Sequence, residues 1–186
     1  KINAPGEVIL VNQSGVYFSQ GSQVDVRGLV ATTHNIANDD YLAGKHVYDR
    51  AGSTGKVVND GEIKAGLDGY VALLAPEVRN GGVIVARMGT VVMAAGERIT
   101  LNFDASRRLA SISTTPSTID SLIENKNAVI APGGLIILSA RALNTLTAGV
   151  IKNSGTLSAS SDNLGVVRQG EGFVVVLERG DRKSVV

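Results

Sequence analysis

Asn59-Asp60-Gly61-Glu62-Ile63-Lys64-Ala65, followed after a short gap by Gly69-Tyr70-Val71-Ala72-Leu73-Leu74-Ala75, is a phrase that the chain repeats. The second copy reads Asn80-Gly81-Gly82-Val83-Ile84-Val85-Ala86, then Gly89-Thr90-Val91-Val92-Met93-Ala94-Ala95, and starts 21 residues later. Each copy holds two short alternating runs behind a Gly. A repeat of about 20 residues with two strands in it has the size of one rung of a solenoid. The period of two places Ile63, Ala65, Val71, Leu73, Ala75, Ile84, Ala86, Val91, Met93 and Ala95 on one inward face. Glu62 and Lys64 then face water. Leu74, Val83, Val85 and Val92 also fall outside, which is more apolar than a free surface needs and predicts a cover.

The phrase returns downstream. Asn125-Lys126-Asn127-Ala128-Val129-Ile130-Ala131 carries Asn127 in the Gly place, and Gly134-Leu135-Ile136-Ile137-Leu138-Ser139-Ala140 completes it. Asn153-Ser154-Gly155-Thr156-Leu157-Ser158-Ala159 is a fourth copy, with Gly172-Phe173-Val174-Val175-Val176-Leu177 as its expected second half. Corner Gly and Asn are expected to supply backbone conformations that a Cβ resists. The uneven spacing implies insertions between rungs. Residues 99–103 and 109–113 flank 104–108, a hairpin with a five-residue loop. Residues 115–124 and 141–148 read as short helices, the first with apolar Ile119, Leu122 and Ile123. The hairpin and the first of these helices are the expected cover.

Upstream, residues 7–11, 16–18 and 23–31 read as strands, with a change of phase near Gly28 that predicts a bulge. Residues 35–56 form an excursion: one helical turn over 38–44 ended by Gly44, a strand at 45–48, and a loop at 51–55. The fold expected is an all-β, right-handed parallel β-helix with an extra-helical hairpin and short helices, one domain over residues 1–186. Chance similarity between hairpins of a β-sandwich is the alternative.

Composition removes several function classes. Lys and Arg total 18 against 17 Asp and Glu, without a basic block interleaved with aromatics, so nucleic acid is not an expected partner. The absence of Cys rules out disulfides and thiolate metal sites. No apolar run reaches the ~18 residues of a membrane-spanning helix. Lys1-Ile2-Asn3-Ala4-Pro5 has neither a starting Met nor a signal-peptide core, so a processed chain or a fragment is expected.

Gly6-Glu7-Val8-Ile9-Leu10-Val11-Asn12-Gln13-Ser14-Gly15-Val16-Tyr17-Phe18 resembles a signature of the filamentous haemagglutinin family, and so does Gly21-Ser22-Gln23-Val24-Asp25-Val26-Arg27-Gly28-Leu29-Val30-Ala31-Thr32-Thr33. The family's amino-terminal secretion domain has an apolar strand, an Asn-Pro-Asn-Gly turn, a second strand, and a Gly-x-x-Val-x-Val-x-Gly-Leu-Val-Ala segment in that order. The resemblance covers residues 6 to about 160. Asn12 and Gly15 are kept, while Gln13 and Ser14 stand where the family has Pro and Asn. It implies two-partner secretion by a Gram-negative bacterium. A domain of this kind would be the export signal of a large surface adhesin or exoprotein. An outer-membrane β-barrel transporter with periplasmic recognition domains would recognise it, and it would seed β-helix folding outside the cell. Asn12, Gln13, Ser14 and Gly15 are then the transporter-recognition turn. A host-cell or glycan receptor would be met through the full-length protein.

Other chemistry has weaker support. Ser53-Thr54-Gly55-Lys56 and Ser161-Asp162-Asn163 match two motifs of serine β-lactamases, but Gly52 and Gly55 argue against the helix that must bring Ser and Lys together. His34 and His46 are the only histidines and are expected as solvated or turn residues rather than metal ligands. Asp39 and Asp40 are expected to cap the helical turn rather than bind a cation. Asn12-Gln13-Ser14 is formally a glycosylation sequon, yet the flanking strands demand a turn there. A β-helix polysaccharide lyase or hydrolase would stack carboxylates on outward rung positions. Those positions here are Glu62, Lys64, Val83, Val85, Ala128, Ile130, Thr156 and Ser158, so no catalytic residue, metal or cofactor is expected. A purely structural adhesin shaft is the remaining alternative.

Overall fold

The computed structural model describes residues 1–143 and 149–159 in full, and residues 163–168 and 172–178 as backbone. The chain enters on β1 (Ile2–Val11) and makes the next rung with β2 (Val16–Phe18) and β3 (Gln23–Thr32). An excursion carries α1 (Asn38–Leu42) and β4 (His46–Asp49). β5 (Lys56–Asn59) and β6 (Glu62–Leu74) form one rung; β7 (Glu77–Asn80), β8 (Val83–Ala86) and β9 (Thr90–Ala95) form the next. The chain leaves again through β10 (Arg98–Phe103) and β11 (Leu109–Thr114). It returns as β12 (Leu122–Asn125), β13 (Ala128–Ile130) and β14 (Leu135–Arg141). β15 (Val150–Asn153) and β16 (Thr156–Ser158) start a further rung, and β17 (Asn163–Arg168) and β18 (Gly172–Glu178) follow.

The rungs stack in parallel register, which makes the fold a β-helix. Val16, Val57, Val78, Ile123 and Ile151 lie in one row across β2, β5, β7, β12 and β15. Ile63, Ile84, Val129 and Leu157 lie in another. The whole expected inward set is buried in one core. The bulge near Gly28 is present as a register shift between Val26 and Gly28.

Asn59, Asn80, Asn125 and Asn153 hold the first corner by a side-chain ladder. Each Nδ2 donates to the next Oδ1 at 2.8 Å, from Asn59 through Asn80 and Asn125 to Asn153. Asn59, Asn80 and Asn125 are buried, so these amides satisfy one another where water cannot. The expected role of the corner Gly is corrected. Gly61, Gly82 and Gly155 do not adopt positive φ. They are needed because the rung below passes too close: a Cβ on Gly82 would sit 2.1 Å from the Gly61 carbonyl oxygen, and one on Gly155 2.0 Å from that of Asn127. The left-handed residues lie at the second corner, at Asp68, Met88 and Gly133.

A second core lies outside the β-helix. β11, β10 and β4 form an antiparallel sheet, in that order. Its Tyr48, Ile99, Leu101 and Leu109 bury Val30, Tyr70, Ala72, Leu74, Val92 and Ala94 of the solenoid's outer face. The hairpin and β4 are therefore the cover. Val83 and Val85 stay half-buried beyond it.

The helix expected over 115–124 does not form. Residues 122–125 are β12, in register with β7 and β15, because Ile123 fills the inward row between Val78 and Ile151. Of the second expected helix, Arg141 closes β14, and residues 144–148 lie outside the described residues. The turn ended by Gly44 is present as α1, but Asp39 and Asp40 sit in its first turn and no side chain caps it. Residues 172–177 do not continue the fourth rung. β18 runs antiparallel to β14 and to β17.

The histidine expectation is also corrected. His34 lies in the bend after β3 and is fully buried, with Nε2 2.9 Å from the Gly96 carbonyl oxygen. Burial lowers its pKa, opposed by the Gly96 carbonyl and the Glu97 charge. A buried base with a lowered pKa costs stability when protonated, so the domain is most stable above the free value of about 6.5 and weakens as pH falls below it. Urea midpoints between about pH 7 and about pH 5 are expected to fall in the native chain and to flatten in His34→Gln. An unchanged slope in the variant would contradict this.

Candidate functional site

Residues 12–15 connect β1 to β2, and both strands are tied into the solenoid, which forces a tight reversal. Asn12 makes it twice over. Its carbonyl accepts the Gly15 N–H at 3.0 Å, and its Oδ1 accepts the Ser14 N–H at 3.1 Å. The side chain thus mimics the backbone turn it sits in. Gly15 adopts φ +134°, which a side chain resists. The Asn12 N–H donates to the Thr32 carbonyl at 3.0 Å, anchoring the turn to the rung above. Asn12, Gln13 and Ser14 are exposed.

The underside rests on the 51–55 loop. Ser53 Oγ donates to the Gln13 carbonyl at 2.8 Å and accepts the Gly55 N–H at 3.2 Å. A Cβ on Gly55 would lie 2.4 Å from the same Gln13 oxygen, so only Gly fits. Arg50, itself buried, holds this loop. Its NH1 group donates to the Ser53 carbonyl at 3.2 Å, Nε to Glu97 Oε2 at 2.8 Å, and the NH2 group to Thr118 Oγ1 at 3.0 Å. Glu97 Oε2 also accepts from the Ser117 hydroxyl at 3.1 Å. The Arg50 hydrogen bond holds the Glu97 carboxyl below the usual carboxylate range. Both excursions therefore converge beneath the turn.

Turn and loop flank an open groove of about 780 Å³ that runs past Tyr17 and Lys56. Tyr17 is exposed and its hydroxyl donates to Asp60 Oδ2 at 2.9 Å. Lys56 Nζ lies 2.7 Å from Glu77 Oε2. Ser53 and Lys56 are thus committed to different partners, on loop and strand rather than one helical turn, and do not form a nucleophile–base pair. Ser161 and Asp162 of the second lactamase-like motif lie outside the described residues. Among the described residues, no three His, Asp or Glu side chains converge as metal ligands. No helix in the described residues is long and apolar enough to cross a membrane.

Sequence reasoning located the turn but missed its buttress. Arg50, Ser53, Glu97 and Thr118 carry no joint signal along the chain. Ser53→Ala is expected to cost about 1 kcal/mol and to expose the Gly55 amide to exchange, because two part-buried hydrogen bonds lose their partner. Unchanged thermal stability and exchange would contradict the buttress.

The model of the TPS (two-partner secretion) secretion domain matches residues 1–175. The chain belongs to this family. A heme/hemopexin-binding protein of Haemophilus influenzae is 30% identical over 153 residues, which is 77% of this chain and 16% of that protein. The crystal structure of the HMW1 secretion domain from Haemophilus influenzae matches with a TM-score of 0.69 and 27% identity, over 86% of this chain and 41% of that one. The chain spans about a sixth of the curated relative it matches. This TPS domain is the secretion domain of a two-partner-secreted exoprotein, released from or displayed on a Gram-negative cell. TPS domains are recognised by an outer-membrane transporter partner.

Proposed function

We propose that the 12–15 turn, on its Ser53–Arg50 buttress, is the feature that the transporter's periplasmic domains read. The chain passes the transporter unfolded and folds outside, where stacked rungs seed the β-helix of a long surface adhesin. The 186 residues act as one domain of that exoprotein, and a host-cell or glycan receptor is met through the full-length protein. One observation carries the reading: within a TPS domain, this exposed turn is set by its own Asn12 side chain and fixed from below. Rung stacking is cooperative, so folding outside would bias export outward. An enzyme has less support, because the outward Glu62 carboxylate pairs with Lys64 at 2.9 Å and the neighbouring outward positions Val83 and Val85 are apolar.

Two variants separate recognition from folding. Asn12→Ala with Gly15→Ala removes the turn's determinants and is expected to reduce export at least about tenfold, with some loss of stability from the forced φ at residue 15. Gln13→Ala with Ser14→Ala alters exposed side chains only and is expected to reduce export at an unchanged melting temperature. Normal export by both would remove the turn from the recognition site.

A further inference from the structure

Asn80-Gly81 is the sole Asn-Gly pair in the chain. Such a pair is chemically labile. With no side chain on the second residue, its backbone nitrogen can reach the Asn side-chain carbonyl carbon and close a succinimide ring. The N–Cγ bond forms, the Cγ–Nδ2 bond breaks, and ammonia leaves. Water then opens the ring at either of its carbonyls. The product is Asp or, where the main chain is rerouted through the side chain, isoaspartate. The net reaction hydrolyses an amide to a carboxylate and ammonium, and water is its only co-reactant.

The fold does not ask for this Gly. Asn59, Asn80, Asn125 and Asn153 lie in register, and the residues that follow them are Asp60, Gly81, Lys126 and Ser154. The other three rungs thus carry a side chain at this place. Gly81 is exposed and has no positive φ. A Cβ on it would meet Asp60 Oδ1 at 2.5 Å, the end of a half-buried side chain that can turn aside, and no backbone atom closer than 3.9 Å. Gly82, the next residue, is different, since a Cβ there strikes the Gly61 carbonyl.

The closed corner blocks the ring closure. Asn80 is buried, its Oδ1 accepts from Asn59 Nδ2, and its Nδ2 donates to Asn125 Oδ1, both at 2.8 Å. The attacking nitrogen is engaged as well, because the Gly81 N–H donates to the Asn59 carbonyl at 2.7 Å. The amide must leave the ladder before its carbon can turn towards Gly81, so the reaction needs the corner to open. Its product cannot return. A carboxylate has no N–H for Asn125 Oδ1 or the Ala128 carbonyl and sets a charge against both. Isoaspartate also lengthens the main chain and breaks the register.

We propose that Asn80 is a self-modifying site that acts as a clock on the unfolded chain. Its amide survives in a chain that folds promptly and is hydrolysed in one held unfolded, which then cannot close the corner ladder. Delayed chains are thereby removed irreversibly from the folding pool. The device shares no residue with the 12–15 turn and acts on any unfolded chain, so it stands independently of transporter recognition.

The test holds the chain at neutral pH in buffer and in guanidinium chloride. Samples are peptide-mapped by mass spectrometry, and refolding on dilution is followed by circular dichroism. In denaturant Asn80 is expected to lose its amide before any other Asn, at least about tenfold faster than in buffer, because the folded ladder must open first. The refolded fraction is expected to fall in step with intact Asn80. Gly81→Ala is expected to slow the loss in denaturant at least about tenfold and to preserve refolding over the same period. The denatured-state rate is read whether or not that variant folds. The proposal is overturned if Asn80 is hydrolysed equally fast folded and unfolded, if another Asn is lost first, if Gly81→Ala changes nothing in denaturant, or if the deamidated chain refolds to the native melting temperature.

Discussion

Asn80→Ala is expected to lower the unfolding free energy by about 3–5 kcal/mol, enough to unfold much of a marginally stable domain. Asn80 is 1% exposed and sits in the middle of the corner ladder. Its Oδ1 accepts from Asn59 Nδ2 at 2.8 Å, and its own Nδ2 donates to Asn125 Oδ1 at 2.8 Å and to the Ala128 carbonyl at 3.3 Å. Truncation leaves an amide donor below and two acceptors above without a partner, in a place water does not reach. The net worth of three hydrogen bonds would be smaller; the cost comes from stranding the groups they served. Asn80→Asp keeps the shape but removes the donor and buries a charge, so it is expected to be at least as damaging. Urea unfolding of the two variants checks this. A loss of under about 1 kcal/mol in both would show that the ladder does not hold the corner.

Gly89→Ala has the next largest expected effect. The added Cβ would lie 2.1 Å from the Gly69 carbonyl oxygen, and the Gly89 carbonyl is itself 2.0 Å from where a Cβ on Gly134 would be. Both contacts are with backbone, so no side chain can rotate away. The rungs would have to part at this corner, which breaks the parallel ladder on both sides of it. A loss of more than about 3 kcal/mol, or no folded protein, is expected. Gly66→Ala is the internal control. It has negative or extended φ and its Cβ would make only an ordinary contact, 3.6 Å from Arg27 Cα, so a change within about 0.5 kcal/mol is expected. Equal effects at the two positions would contradict the account of the corner glycines.

Rung spacing was readable because stacked strands need like residues at like places. That is why Ile63 predicted Ile84 and Val129. The misreading of residues 115–124 had a local cause. Ile119, Leu122 and Ile123 satisfy a helical period over one turn, and a short apolar cluster cannot separate helix from strand. A longer-range signal was present: Val57, Val78, Ile123 and Ile151 each stand two residues before a ladder Asn, so the repeat begins earlier than Asn59. β18 was misplaced for another reason. Alternation reports which face a residue takes and not which way the strand runs, so an antiparallel strand on β14 reads like the next rung. The corner Gly was assigned the wrong physics because sequence does not distinguish a Gly needed for φ from one needed for room.

The site was legible only in part. Strands on both sides made the 12–15 turn unavoidable, and Asn12 and Gly15 are the residues that build it. Its support comes from Ser53, Arg50 and Glu97, which are brought together by two excursions that fold back under the turn. Nothing in their spacing marks that convergence.

The most direct test of the export account is a reporter fused after residue 186 and produced in a Gram-negative host, with its cognate transporter present or deleted. Extracellular reporter is expected only when the transporter is present, and it is expected to fall when residues 12–15 are altered. Equal release with and without the transporter would contradict the assignment of this domain to transporter-dependent export.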